Sequence, residues 1–183
     1  MNALEFSDAA GWESWLTVQH EQQTEVWLRI GKRHAGIPLV TIAEAGALAL
    51  CFGWIDGQRK ACDEVSFLQR YSRRRPGSSW SKVNVARAEL LIKAGRMRPP
   101  GLKEIEEAKT DGRWEAAYES QRTARVPAEL TAALEGNPSA LAAFERLSRS
   151  GQYTLFLPLL KAYTPEARTN TLTRIMTRLT TQI

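Results

Sequence analysis

The sequence predicts an α+β fold: a small antiparallel sheet with helices in the N-terminal half, and a helical C-terminal half. Three observations carry this prediction. Alternating apolar residues, the mark of half-buried strands, fall only before Pro76. After Pro76 the apolar residues recur at helical spacing and are punctuated by capping residues. The composition, 43% apolar and 25% charged over 183 residues, is that of an ordinary globular domain. A chain of this size buries roughly 70% of its unfolded surface, so it needs no disulfide or metal to fold. We therefore expect one compact domain over residues 1–183, with an α+β part at about 1–76 and a helical part at about 77–183.

Ser7 is placed to cap a first helix from Asp8 to about Gln19, whose acids Asp8 and Glu13 suit the positive end of the helix dipole. Trp12, Trp15, Leu16 and Gln19 follow helical spacing on it, with the tryptophans inward. Glu25 to Ile30 reads as a strand, with Val26, Leu28 and Ile30 on one face. Gly31 to Pro38 is a loop. Thr41 and Glu44 have the spacing of a capping box, opening a helix through Leu50-Cys51-Phe52 that stops at Gly53. A strand from about Trp54 to Ala61, a turn at Cys62-Asp63-Glu64 and a strand from Val65 to Arg73 follow. Pro76 and Gly77 end the sheet.

Ser79 or Ser81 caps the next helix, which runs to about Ala94 before Gly95; its expected inner stripe is Val83, Ala86, Leu90 and Leu91. Leu102 to about Thr110 is a short helix, and Trp114, Ala117 and Tyr118 fit a further turn or two. Pro127 to Glu135 stops at Gly136, and Asn137-Pro138 starts a helix reaching about Ser150. Tyr153 to Tyr163 contains Pro158 and should kink or split. The last helix starts at Thr164-Pro165 and buries Leu172, Ile175, Met176 and Leu179.

Charge is unevenly spread. The net charge is +5, yet Arg59 to Arg98 holds eleven basic residues against three acids, a local excess of +8. Such a field implies an anionic partner: an anionic ligand, an anionic surface or nucleic acid. Cys51 and Cys62 fit neither a disulfide framework nor a zinc pair, and Cys51 lies in an apolar run. No segment approaches the ~18 apolar residues of a membrane span, and the acidic N-terminus is unlike a signal peptide, so a cytoplasmic location is expected. His20 and His34 lack spaced ligand partners, and no nucleophile elbow, phosphate loop or dinucleotide fingerprint occurs. No cofactor, metal or catalytic residue is expected.

The most distinctive stretch is Arg73-Arg74-Arg75-Pro76-Gly77-Ser78-Ser79-Trp80-Ser81-Lys82. Serines at a helix start bring hydroxyls next to unpaired backbone donors, and arginines grip phosphate or carboxylate in two parallel bonds. Arg73, Arg74, Arg75, Ser79, Trp80, Ser81 and Lys82 are therefore the candidate anion-binding set. The competing reading is serine caps beside solvated arginines. Trp80 or Tyr71 would stack on bases if the ligand were nucleic acid. Asp56, in Trp54-Ile55-Asp56-Gly57, is a candidate polar site residue, or simply part of a turn or bulge. An enzyme acting on a phosphorylated or carboxylated small molecule would use it as acid or base.

Taken in order, several motifs form a pattern: Leu50-Cys51-Phe52-Gly53-Trp54-Ile55-Asp56-Gly57, Arg74 through Asn84, Ala94-Gly95-Arg96-Met97 with Pro100-Gly101, and Ala108-Lys109 with Asp111-Gly112-Arg113-Trp114. The chain resembles the bacteriocin-protection, YdeI/OmpD-associated family over nearly its whole length. It departs near the C-terminus. There the family tends to an Arg-Tyr pair and an Ala-Lys-x-x-Glu-Thr-Arg run, and this chain has Gln152-Tyr153 and Ala162 through Arg168. The resemblance implies a protective role against bacteriocins or cationic peptides and association with an outer-membrane porin. It implies no known reaction and supplies no catalytic residues.

Overall fold

The computed structural model describes residues 3–181. Among them are eight helices and one three-stranded antiparallel sheet. In chain order these are α1 (Ala9–Gln19), β1 (Glu25–Gly31), α2 (Ile42–Cys51), β2 (Trp54–Ala61), β3 (Ser66–Arg73), α3 (Lys82–Lys93), α4 (Pro99–Thr110), α5 (Ala128–Glu135), α6 (Pro138–Glu145), α7 (Arg149–Lys161) and α8 (Pro165–Thr181). The α+β class predicted by the sequence is observed. The chain divides into two compact units, one of Met1–Ser78 with Ala86–Ala108, the other of Ser79–Val85 with Lys109–Ile183.

In the first unit β3 is the central strand, with β1 and β2 at the edges. Val26, Leu28 and Ile30 pair with Tyr71, Gln69 and Phe67, so these six side chains share one face. Helices α1 and α2 cover it. Trp12 lies 5.7 Å from Tyr71, and its Nε1 donates to the Ala45 carbonyl at 3.2 Å. Trp54 meets Trp15 edge to face at 5.9 Å and donates to the His20 carbonyl. Trp54 and Cys51 are both buried, as the apolar run through Gly53 implies. Asp8, rather than Ser7, caps α1 by accepting from the Gly11 N–H. The capping box of Thr41 and Glu44 is formed in full.

The β2–β3 hairpin carries a bulge between Asp56 and Arg59. A bulge frees backbone carbonyls from the ladder. Buried Gln69 takes them up, donating to the carbonyls of Gly57 and Gln58 at 3.0 and 3.3 Å and accepting from Arg59. At the hairpin turn Asp63 accepts from the Val65 N–H, the Ser66 N–H and the Ser66 hydroxyl, and pairs with Arg29. The Ser66 hydroxyl foremost, then these amides and Arg29, hold its carboxyl down at about 2.

Helix α3 corrects the expected stripe. Leu91 is buried as expected, but Val83 and Leu90 are 49% and 69% exposed, Ala86 is exposed too, and Ala88 is buried instead. Apolar residues occur on nearly every side of this helix, so periodicity alone does not choose a face. In the second unit Leu130, Leu134, Phe144, Leu159, Ile175 and Leu179 belong to one core cluster. Asn137 caps α6 as expected. The helix expected to reach Ser150 ends at Glu145, because Ser148 caps a new helix by accepting from the Gly151 N–H. Pro158 lies inside the continuous α7, which therefore is not split. Trp114 to Tyr118 forms turns rather than a helix, and Tyr118 bridges to Ser81.

Arg168, retained from the C-terminal run, is a staple within this unit. It donates to the Leu159 and Ala162 carbonyls at the end of α7 and pairs with Glu129 of α5.

Candidate functional site

A cleft of about 950 Å³ opens in the first unit beside the end of β3. Arg70, Ser72, Arg73, Arg74 and Arg75 come from β3 and the residues after it. The segment after α1 contributes His20 and Glu21, the start of β1 contributes Glu25, and α4 contributes Lys103, Glu104 and Glu107. Phe52, Pro99 and Pro100 add apolar surface.

Two glycines set this geometry. Gly53, at φ +72°, turns the chain from α2 into β2, and its carbonyl accepts from the Arg74 N–H at 3.0 Å. That bond fixes where the arginine run leaves the sheet. Gly101 lets the start of α4 lie against the end of α2. A Cβ there would sit 2.3 Å from the Cys51 carbonyl oxygen, and the Arg98 N–H donates to that same oxygen.

The arginines of the cleft are not equivalent. Arg70 pairs with Glu25, and the Arg70 guanidinium holds that carboxyl below its usual range. Arg74 is only 5% exposed, with Nη2 at 3.5 Å from the Ser78 carbonyl. Arg73 and Arg75 are exposed and have no carboxylate within 4 Å among the described residues. Lys103 reaches Glu107 at 4.0 Å, the loose geometry of a surface i,i+4 pair. His20 Nδ1 donates to the Leu16 carbonyl at 2.9 Å, and its Nε2 lies 3.8 Å from Glu21.

Ser79, Trp80, Ser81 and Lys82 belong to the second unit. Trp80 is 1% exposed and packs on Trp114 at 4.8 Å between ring centres. The expectation that it stacks on a base is corrected: the ring is buried and not open to a ligand from solvent. Tyr71 is likewise buried, against Trp12. Burial, reinforced by the charge of Asp56, pushes its hydroxyl pKa up. Ser81 caps α3 by accepting from the Asn84 N–H at 3.2 Å, and Lys82 pairs with Glu119 at 2.7 Å. Asp56 is exposed at the bulge and does not line the cleft.

Sequence reasoning missed His20, Arg70, Lys103, Glu104 and Glu107 as cleft residues. Arg70 carried a signal, since it precedes Arg73 on the same strand. The others lie 30 to 53 residues from Arg73 in sequence, and only the fold assembles them. No group of three or more His, Cys, Asp or Glu residues suited to a metal ion occurs among the described residues. Nor does any helix there have the length and apolarity to cross a membrane.

Residues 4–104 match the family described as Domain of unknown function (DUF8412). Residues 123–181 match the family described as Bacteriocin-protection, YdeI or OmpD-Associated. The cleft residues other than Glu107, and most motifs that suggested the resemblance, lie in the first matched region. The second covers the segment in which the C-terminal run departs from the expected pattern. No curated protein and no solved structure matches the chain. The chain belongs to the DUF8412 family through residues 4–104, and its residues 123–181 match the bacteriocin-protection, YdeI or OmpD-associated family.

Proposed function

We propose that this is a non-enzymatic cytoplasmic protection protein that works by holding an anionic ligand in the cleft at the end of β3. One observation carries the reading: Arg70, Arg73, Arg74 and Arg75 all line one concave surface, and two of them lack a carboxylate partner among the described residues. Guanidinium groups held side by side suit phosphate or carboxylate oxygens, which accept two parallel bonds from each. The buried backbone of Arg74 anchors the run, so Arg73 and Arg75 are presented from a fixed base rather than from a loose loop. In this reading Arg73 and Arg75 grip the anion, Arg74 and Arg70 add field, and Lys103 supplies a further cation. The protective role is taken from the family matched by residues 123–181.

The test is calorimetric titration of ethyl phosphate into the wild type and an Arg73→Ala, Arg75→Ala variant at low and moderate salt. Each charge-assisted bond contributes about 1.5–3 kcal/mol, so losing two should weaken binding by tens-fold or more. Equal affinity of the two proteins, or binding by neither across phosphate and carboxylate ligands, overturns the reading. Turnover of the titrant would contradict the non-enzymatic part.

A further inference from the structure

We infer that the cleft takes up its anion together with a proton from solvent, and that His20 is the residue that receives the proton. The inference rests on the anion-binding reading above and deepens it: binding tightens as pH falls through the histidine range. Imidazole is the side chain whose charge ordinarily changes between pH 5 and 8. The chain has two histidines, and His20 is the one that lines the cleft; His34 is exposed on the loop after β1. The fold fixes which edge of the His20 ring meets a ligand. Nδ1 donates to the Leu16 carbonyl at 2.9 Å, so the neutral ring carries its proton there and its lone pair on Nε2. The ring packs on Phe52 at 5.4 Å between centres, and Phe52 lines the same cleft. Nε2 is on the edge turned away from α1, 3.8 Å from the Glu21 carboxylate, which also lines the cleft. That distance is too long for a hydrogen bond, so Nε2 keeps its bonding capacity for a ligand.

In the neutral ring Nε2 is an acceptor and repels the oxygens of an anion; protonated, it is a charged N–H donor toward them. The charges around the ring act in both directions. On its own segment Glu21 favours the imidazolium. On β1, Glu25 is engaged by Arg70. At the end of β3, exposed Arg73 and Arg75 oppose protonation when no anion is bound, and buried Arg74 adds to them. On α4, Lys103 and Glu107 form a loose pair, and Glu104 is engaged within the fold. An anion held by Arg73 and Arg75 offsets their charge and so removes the repulsion that opposes protonation. Direct contact and this relief have the same sign. By linkage, an anion that favours the protonated ring must itself bind the protonated ring more tightly.

The probe is ethyl sulfate, whose single charge is constant between pH 5.5 and 8, whereas a phosphate monoester titrates in the same window. Proton NMR of the full chain follows both imidazoles across this range, with saturating ethyl sulfate or with sodium chloride at equal ionic strength. Ethyl sulfate should move the His20 titration midpoint up by about one pH unit, equivalent to about tenfold in affinity, and leave that of His34 in place. Calorimetry should accordingly show ethyl sulfate binding several-fold tighter at pH 5.5 than at pH 8. An H20N variant keeps a donor for the Leu16 carbonyl and has no titrating ring, so its affinity should be the same at both pH values. An unmoved His20 midpoint with ethyl sulfate bound, or equal movement of both histidines, overturns the inference and leaves anion binding standing. A pH dependence that survives in H20N also overturns it. Binding of neither ethyl sulfate nor ethyl phosphate by the wild type at any pH in the range overturns the anion-binding reading itself.

Discussion

Two corners of this molecule are built around arginine, and they use it differently. Arg168 in the helical unit donates to the Leu159 and Ala162 carbonyls and pairs with Glu129, tying the end of α7 and the start of α8 to α5. Its donors are spent on the fold. Arg73 and Arg75 leave the end of β3 exposed, beside a cleft, with no carboxylate in reach among the described residues. The difference teaches how to separate structural from functional charge here. An arginine whose guanidinium completes helix ends changes stability when removed. One that lines a cleft without such engagement changes binding.

The comparison depends on the scaffold beneath the cleft, so the largest effects come from breaking that scaffold. Trp54→Ala should cost about 3–5 kcal/mol, because a fully buried indole leaves a cavity between α1 and the sheet. Chemical denaturation reads this directly, and an unchanged midpoint would show that Trp54 does not anchor the sheet. Gly101→Ala should cost about 1–3 kcal/mol and weaken phosphate binding as well. Its methyl group would drive α4 from the end of α2 and so displace Lys103, Glu104 and Glu107. Thermal melts and an ethyl phosphate titration of the same preparation would check both effects.

Arg168→Ala should lower stability by about 1–2 kcal/mol, with the half-exposed pair to Glu129 contributing less than the bonds to the α7 carbonyls. Arg73→Ala with Arg75→Ala should change stability by no more than about 0.5 kcal/mol. Denaturation midpoints of the two variants, measured side by side, sharpen the contrast. A larger loss from the Arg73, Arg75 pair than from Arg168 would reverse it.

The smallest expected effect is acid dependence at the hairpin turn. Asp63 titrates at about 2 in the folded chain, below the ordinary value of 3.8. Stability from its carboxylate is therefore present above about pH 4 and is lost as pH falls toward 2. Asp63→Asn should be less stable than wild type at pH 5, and the gap should close by pH 2. Urea midpoints across this range would check it; a constant gap would place the effect in packing rather than in charge.

Much of the fold was legible where local chemistry decides it. The capping box at Thr41 and Glu44, the stop at Gly53 and the start at Asn137-Pro138 are short-range devices, and each is present. Both hairpin strands also follow from their own residues. What failed was set by packing. Val83 and Leu90 face outward because α3 offers several apolar faces and only its neighbours select one. The break before Ser148 was hidden because Glu145 to Ser150 contains no glycine or proline to mark it. Gln69 gave no sign of its role, since a bulge exists only once two strands pair.

The candidate site divides along the same line. The arginine run was visible as charge, and its place at a cleft required the Gly53 turn and the approach of α4 at Gly101. Trp80 looked like a binding residue because it adjoins that run, yet packing on Trp114 claims it. Proximity in sequence supplied the charge pattern; long-range contacts decided which side chains remain exposed.

The most direct measurement is an ethyl phosphate titration of the Arg73→Ala, Arg75→Ala variant beside Arg168→Ala, at a temperature where both are folded. The account predicts that the first loses affinity by tens-fold or more at near wild-type stability, and that the second binds as the wild type does. Equal affinity in the two variants would contradict it and return Arg73 and Arg75 to solvated surface.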